Sequence, residues 1–264
     1  MRNRRNTYLL IPLAMILLLA CGYAVSQHQT VTPKAVTASS VHQPDVQPKV
    51  SPAPTPPVFS KTSLSTDDPA SIWVVVNKHR PLQPKDYVPS DLVTPAIPLR
   101  SGTGSSEMQL RKAAASALET MNAAASKDGL HLMLASGYRS YNLQVSVYSS
   151  EVRNNGQAIA DSESARPGFS EHQTGLAADL EPASRQCEVA DCFGTTPEGL
   201  WLVKNASVYG FIKRYTPDKV AITGYRAEAW HYRYVGVPLA QEMQKKGVQT
   251  LEEFFALEAA PSYK

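Results

Sequence analysis

The chain has 264 residues, a formal net charge of +3 at pH 7 and three cysteines. This length suffices for one sizeable domain with additional segments. The basic residues are dispersed and part of their excess lies in the first five residues, MRNRR, so the charge pattern gives no indication of a nucleic-acid-binding protein. No feature of the sequence requires more than a monomer.

Residues 1–25 have the pattern of a signal peptide or a membrane anchor. The basic residues of MRNRR precede an apolar run from Tyr8 to Ala20 that is interrupted only by Pro12. The segment 18–21 (LLAC) resembles a bacterial lipoprotein cleavage box, in which Cys21 is the lipidated residue. An uncleaved anchor helix is favoured equally, ahead of an ordinary cleaved signal. All three interpretations place the rest of the chain outside the cytoplasmic membrane, and the first two tether it there, facing the cell wall.

Residues 26–65 are predicted to form a disordered stalk. They consist mainly of Pro, Thr, Ser, Val and Gln, with few charges. Such a composition cannot bury a core and favours extended polyproline conformations. At about 3.1 Å per residue, the extended segment would reach on the order of 120 Å. We expect the folded domain to span residues 66–259.

Apolar periodicity and capping signals predict separated helices and a few short strands, in chain order. The predicted elements are a helix from Ser106 that stops before Gly129, a strand His131–Ser136, a helix Tyr141–Arg153, a strand Leu176–Leu180, a helix from Thr196-Pro197 to Gly210, a strand Ala229–Val235, a helix Pro238–Lys246 and a helix that begins at Thr250. This mixture favours the α+β class over a repeated βαβ arrangement.

Two short motifs contain the residues of a candidate metal site. The segment 170–179 (SEHQTGLAAD) contributes His172 and Asp179, and the segment 228–231 (EAWH) contributes His231. Two imidazoles and a carboxylate can fill three positions of a tetrahedral Zn²⁺ site and leave the fourth for water. A structural site would be closed by four protein ligands, so this set is typical of a hydrolytic site. A single histidine is more often a surface or core residue, but the spacing and context of the set favour zinc.

Glu228 lies three residues before His231, where its carboxylate could take the proton of the attacking water as a general base. The alternative is that Glu228 orients a ligand histidine. Residues three apart on a strand face opposite sides, so we expect Glu228 on the turn before a strand and His231 inside it. We likewise expect His172 in the loop before the strand of Asp179, with Gly175 relieving the backbone.

Arg139 follows a predicted strand in the segment 136–140 (SGYRS). A guanidinium there could hold a carboxylate or a developing oxyanion by paired hydrogen bonds. Arg166 is a rival for this role, and a loop arginine taken alone is more often a solvated surface charge.

Cys187 and Cys192 are close enough in sequence to close a small loop as a disulfide in an oxidising compartment. They are disfavoured as zinc ligands, because the two histidines and the aspartate already account for a site.

Together these motifs resemble the VanY-type zinc D-alanyl-D-alanine carboxypeptidases of the LAS group (lysostaphin, D-Ala-D-Ala peptidases, sonic hedgehog). The resemblance covers roughly Pro69 to Phe255. It implies a hedgehog-like or DD-peptidase-like α+β fold, in which a small antiparallel sheet carries the zinc site and is flanked by helices. It further implies zinc binding by His172, Asp179 and His231, base catalysis by Glu228, stabilisation of the reacting carbonyl by Arg139, and a substrate pocket containing Gln144 and Ser170.

The expected function is removal of the C-terminal D-alanine from peptidoglycan stem peptides, with D,D linkage favoured. Three alternatives remain open. One is an L,D-carboxypeptidase that acts on tetrapeptide stems, and another is an endopeptidase that cuts cross-bridges. The third is a non-catalytic, zinc-stabilised module that binds wall peptides, although the presence of Glu228 argues against it.

Overall fold

A computed structural model describes residues 59–264 of the chain. The predicted signal or anchor with Cys21 and most of the predicted stalk lie outside the described residues. The ring of Phe59 packs against those of Trp73 and Phe254, with centroid distances of 5.5 and 5.8 Å. The packed chain therefore begins earlier than the predicted boundary at residue 66. Within residues 59–264, no helix combines the length and apolar character needed to cross a bilayer.

Short strands and helices are interspersed along the described chain. The strands are β1 (Leu92–Val93), β2 (Leu110–Arg111), β3 (Leu132–Ser136), β4 (Ala177–Pro182), β5 (Phe211–Lys213) and β6 (His231–Tyr234). The helices are α1 (Lys112–Lys127), α2 (Tyr141–Asn155), α3 (Gln157–Glu163), α4 (Pro197–Asn205), α5 (Val220–Thr223), α6 (Val237–Lys246) and α7 (Leu251–Phe255).

Four strands form one antiparallel sheet in the order β3-β4-β6-β5, and β1 pairs with β2 in a separate two-stranded sheet. In the larger sheet, Asp179 of β4 lies directly opposite His231 of β6. Residues directly opposite in an antiparallel pair share one face and have neighbouring side chains. The predicted α+β class with a small antiparallel sheet is confirmed, and two of the three predicted metal ligands, Asp179 and His231, lie on neighbouring strands.

The first long helix begins later than predicted. Residues Ser106–Met108 form a single 3₁₀ turn, and α1 starts only at Lys112. The reason is tertiary: the backbone oxygen of Gln109 accepts a hydrogen bond of 2.7 Å from the nitrogen of Tyr138. The segment before α1 is thus paired with the residues that lead into Arg139 instead of continuing the helix.

The buried face of α1 holds the inner strands in place. Ala114, Leu118, Met121 and Ala125 recur every three or four residues and are fully buried. They belong to the same apolar cluster as Leu134 of β3. This packing fixes the end of β3, from which the chain turns towards Arg139.

Gly175 links the turn that carries His172 to β4. Its φ is 67°, in the left-handed region that favours glycine. A Cβ at this position would lie 2.9 Å from side-chain carbons of Arg111 and of Leu92. The glycine therefore meets two requirements, one of backbone conformation and one of space.

We expect Gly175→Ala to lower the free energy of unfolding by about 2–5 kcal/mol, because left-handed strain of about 1–2 kcal/mol is joined by overpacking of about 1–3 kcal/mol. The matched control is Gly129→Ala, whose φ is also positive (76°) but whose Cβ would meet nothing within 4 Å. Urea unfolding of both variants measures the difference. Equal losses would show that the Arg111 and Leu92 contacts carry no cost.

Candidate metal centre

Three buried side chains converge at the meeting point of β4, β6 and the 3₁₀ turn Glu171–Thr174. Nε2 of His172 lies 3.4 Å from Oδ2 of Asp179, and Nδ1 of His231 lies 3.3 Å from Oδ1 of the same carboxylate. One ligand atom from each residue lies within 4.8 Å of the others. His172, as expected, precedes the strand of Asp179, and His231 is the first residue of β6.

In each imidazole one nitrogen faces Asp179 and is called the inner nitrogen here. The other, the outer nitrogen, forms a hydrogen bond on the side away from Asp179. Nδ1 of His172 donates to the carbonyl oxygen of Gly137 at 2.6 Å, and Nε2 of His231 donates to Oε2 of Glu171 at 3.2 Å. Because a carbonyl oxygen can only accept, the proton of neutral His172 resides on Nδ1. Such outer hydrogen bonds fix the tautomer and the ring orientation of metal-ligating histidines.

The donor set fits a divalent cation. Oδ1 of Asp179 is buried and has no hydrogen-bond donor among the described residues. A buried carboxylate oxygen without a donor is costly, and a bound cation would satisfy it. Burial raises the pKa of Asp179, but the two histidines outweigh this effect and hold the pKa well below its usual range. Two imidazole nitrogens and one carboxylate match the ligands of a catalytic zinc site.

Glu228 lies on the turn before β6, as expected. Its backbone nitrogen donates to the carbonyl oxygen of Tyr215 at 3.2 Å, and its Oε2 lies 3.4 Å from Nδ1 of His231. This is the nitrogen that also faces Asp179, so the Glu228 carboxylate borders the metal position. Burial raises the pKa of Glu228 to about 7, against the opposing effect of His231.

The sequence interpretation missed Glu171, the residue that orients His231. Its Oε1 accepts hydrogen bonds of 2.9 Å from both Arg214 and Arg233, while Oε2 accepts from His231. Burial raises the pKa of Glu171, but the two guanidinium groups outweigh it and hold the pKa well below its usual range. Arg214 also forms two hydrogen bonds with Glu252, at 3.0 and 2.8 Å.

Glu171 directly precedes His172 in the sequence, and this adjacency is the one sequence signal that could have identified it. Arg214 and Arg233 belong to no short motif, and only the pairing of β5, β6 and the 3₁₀ turn brings them to Glu171. Glu171 takes the orienting role that was the alternative for Glu228, which leaves the Glu228 carboxylate free to face the cavity.

The metal position opens into a cavity of about 310 Å³. Besides the metal-site residues, Arg139, Ser170, Tyr215, Arg226 and Trp230 line it. Its polar lining suits a peptide with charged or amide groups.

Arg139 reaches the cavity with a fixed guanidinium. Its Nη1 donates to Oε1 of Gln144 and its Nη2 donates to Oγ of Ser136, both at 3.1 Å. Its Nε is buried and has no acceptor within the described part of the chain. An arginine held from behind in this way presents a preorganised positive charge to the cavity.

Gln144 was predicted to lie in the substrate pocket, but its hydrogen bonds are to other residues of the protein. It is fully buried, and its Nε2 donates to Oγ of Ser164 at 3.2 Å and to the carbonyl oxygen of Ala165 at 2.7 Å. Its amide therefore supports Arg139 and the 164–165 backbone from behind the cavity lining. Direct contact of Gln144 with substrate stays a prediction.

Arg166, the rival of Arg139, is engaged elsewhere. It forms two hydrogen bonds with the carboxylate of Asp161, at 3.0 and 2.9 Å, and is absent from the cavity lining. Arg139 is the better candidate for contact with substrate.

Cys187 and Cys192 form a disulfide with a Cα–Cα distance of 5.6 Å, as their spacing suggested. The loop that they close places Val189 on the cavity lining. The disulfide thus constrains the loop that carries one residue of the cavity lining.

Comparison with known proteins gives a consistent result. Residues 107–237 match the family model VanY, described as D-alanyl-D-alanine carboxypeptidase. YodJ of Bacillus subtilis strain 168, a protein named as a carboxypeptidase, is 44% identical over 188 residues, which cover 71% of this chain and 68% of YodJ.

Two solved structures share the fold. The LdcB LD-carboxypeptidase is 44% identical with a TM-score of 0.67, over 71% of this chain and 87% of LdcB. A mutant of the vancomycin-resistance D,D-pentapeptidase VanY, in complex with Zn(II), is 31% identical with a TM-score of 0.56, over 70% of this chain and 98% of the mutant. These matches confirm the predicted enzyme class, a carboxypeptidase of the metallopeptidase type. The chain belongs to the VanY family of D-alanyl-D-alanine carboxypeptidases.

Proposed function

We propose that the protein is a zinc-dependent carboxypeptidase that removes the C-terminal D-alanine from peptidoglycan stem peptides. The observation that carries this proposal is the joint orientation of His172, Asp179 and His231 towards one point, with the Glu228 carboxylate beside it. This centre opens into a cavity that also presents the Arg139 guanidinium.

His172 through Nε2, His231 through Nδ1 and the Asp179 carboxylate are the groups that would hold the metal. When bound, zinc lowers the pKa of a water molecule and polarises a carbonyl group. The hydrogen bonds of His172 to Gly137 and of His231 to Glu171 keep the other nitrogen of each ring directed at this point. The protein therefore needs little rearrangement to form the site.

Glu228 is the proton carrier in the proposed reaction. Its carboxylate takes a proton from the attacking water and passes it to the nitrogen of the leaving D-alanine. A pKa of about 7 in the absence of metal lies near the working pH, where a group can both accept and return a proton. Arg139 stabilises the reacting carbonyl, since its guanidinium is already fixed by Gln144 and Ser136.

We favour D,D linkage on the description of the family model, D-alanyl-D-alanine carboxypeptidase. The second candidate is L,D linkage, because identity and TM-score are higher for the LdcB LD-carboxypeptidase (44% and 0.67) than for the D,D-pentapeptidase VanY (31% and 0.56). A cross-bridge endopeptidase and a non-catalytic wall-binding module are outcomes that the experiment below distinguishes.

We also propose an extracytoplasmic location, with the domain tethered to the membrane through residues 1–25 and facing the wall. This proposal is supported by the basic and apolar pattern of that segment and by Cys21. The Cys187–Cys192 disulfide is consistent with an oxidising compartment.

The main test is incubation of the zinc-loaded chain with pentapeptide and tetrapeptide stems, followed by mass spectrometry. We expect loss of one alanine from the pentapeptide. Glu228→Gln is the matched control, which keeps the metal ligands and the volume of the side chain but is expected to lower kcat by about 10²–10⁴-fold.

Loss from the tetrapeptide alone would leave the mechanism in place and change the linkage to L,D. Cleavage confined to cross-linked dimers would identify an endopeptidase. Binding of wall peptides with no cleavage by the parent chain would indicate a binding module and refute the proposed activity.

Replacing Arg139 is expected to affect turnover, not metal binding. Arg139→Ala removes the guanidinium that Gln144 and Ser136 hold, and we expect kcat/KM to fall by about 10²–10³-fold with unchanged zinc content. Arg153→Ala, at an exposed position of α2, is the control and should retain full activity. Steady-state kinetics with metal analysis checks both, and equal activities would exclude a role for Arg139 at the reacting carbonyl.

Zinc affinity is expected to rise with pH. Burial lowers the pKa of His231, but the neighbouring carboxylates of Asp179 and Glu171 outweigh it and raise the pKa of His231 in the metal-free protein to about 10. Below pH 10 a proton therefore competes with zinc for His231, and the affinity should increase by up to about tenfold per pH unit. Chelator competition at pH 6, 7 and 8 measures this slope. A flat profile would contradict metal binding by His231.

A further inference from the structure

Two irregular segments form walls of the cavity. The first wall, residues 164–170, contributes Ser164, Ala165 and Ser170, and the second wall, residues 224–228, contributes Tyr225, Arg226 and Glu228. Both walls lie outside the helices and strands. Contacts with other parts of the chain help to set the distance between them, among them the hydrogen bond of 3.1 Å from the backbone nitrogen of Arg226 to the carbonyl oxygen of Ser162 in α3.

Tyr263 connects the two walls through one hydroxyl group. This hydroxyl accepts a hydrogen bond of 2.8 Å from the backbone nitrogen of Arg166 in the first wall. It forms another, of 3.1 Å, with the hydroxyl of Tyr225 in the second wall. Tyr263 does not line the cavity itself, so its effect on substrate acts through the walls.

The ring of Tyr263 is clamped within the first wall. The Arg166 guanidinium lies 4.1 Å from its centroid, and Phe169 packs against it edge-on with a centroid distance of 5.2 Å. Asp161 of α3 holds the same guanidinium. A cation–aromatic contact and an aromatic pair each add stability beyond simple burial.

The segment 260–264 that carries Tyr263 is itself anchored. The nitrogen of Ala260 donates to the carbonyl oxygen of Ile222 at 2.8 Å, and Nε2 of His79 lies 2.9 Å from the carbonyl oxygen of Ser262. A Cβ on Gly224 would lie 2.5 Å from the oxygen of Ala260, which shows how closely this segment approaches the second wall. The predicted domain end at residue 259 is therefore too early.

We propose that Tyr263 is a positioning residue that holds the two walls at the separation needed by the stem peptide. This inference rests on the proposed function, because it concerns binding of the same peptide. The walls contact substrate in the ground state and in the transition state alike. Glu228 at the end of the second wall keeps its own anchor, because its backbone nitrogen donates to the carbonyl oxygen of Tyr215 at 3.2 Å. Loosening the remainder of the walls weakens both states equally, which raises KM and leaves kcat unchanged.

The test compares the parent chain with Tyr263→Phe, which retains the ring and removes both hydroxyl hydrogen bonds. We expect KM for the stem peptide to rise about three- to tenfold, with kcat within twofold and zinc content unchanged. Amide hydrogen exchange should become faster at Arg166, since its acceptor is lost. Tyr209→Phe is the matched control, because that ring packs on Trp201 away from the cavity.

Unchanged KM in Tyr263→Phe, with an active parent chain, would overturn the inference and leave the proposed function intact. A drop in kcat with constant KM would also overturn it, since that result places the effect on the chemical step. If the parent chain cleaves no stem peptide, the proposed function fails, and the exchange data then decide the structural part. Unaltered exchange across residues 164–170 would refute the connection between the walls.

Discussion

A single buried carboxylate, that of Glu171, is the contact on which the rest of the centre depends. It lies between the guanidinium groups of Arg214 and Arg233 and the imidazole of His231, and all four side chains are almost fully removed from solvent. An isolated charge in such surroundings would be strongly unfavourable. Glu171 and Glu252 balance the charges of the two arginines, and every member of the cluster has a partner.

This cluster connects the fold to the chemistry. Arg233 also donates to the carbonyl oxygens of Ile72 and Val74, and Arg214 reaches Glu252 of α7, so distant parts of the chain meet behind the metal position. Two links join the cluster to the centre: His231 donates through Nε2 to Glu171, and the backbone nitrogen of Arg214 donates to the carbonyl oxygen of His231 at 3.2 Å. Such a support orients the imidazole of a ligand histidine, as a preorganised site requires.

The two walls of the cavity are held in place by a different kind of contact from the metal centre. The metal ligands come from paired strands and one tight turn, whereas the walls are irregular segments held by side chains such as Tyr263, Arg166 and Gln144. Strand pairing fixes the positions of the metal-binding residues within the family's common fold. The positions of the wall residues depend on individual hydrogen bonds, so they can vary without disturbing the metal-binding residues. Relatives named for D,D and for L,D activity share this fold, which is consistent with specificity that resides outside the ligand set.

The sequence by itself determined the fold class, the His172, Asp179 and His231 set, the placement of Glu228 before a strand, and the Cys187–Cys192 loop. Each depends on local spacing or on one strand period, which a sequence displays directly. Only the tertiary structure decided that α1 begins at Lys112, that Gln144 supports Arg139 from behind, that Arg166 belongs to a wall, and that Glu171 orients His231. Each of these outcomes depends on a partner elsewhere in the chain, from 5 positions away (Gln144 for Arg139) to 97 positions away (Tyr263 for Arg166). Sequence patterns do not identify such partners, because hydrogen bonds and charge pairs form between the groups that folding brings together.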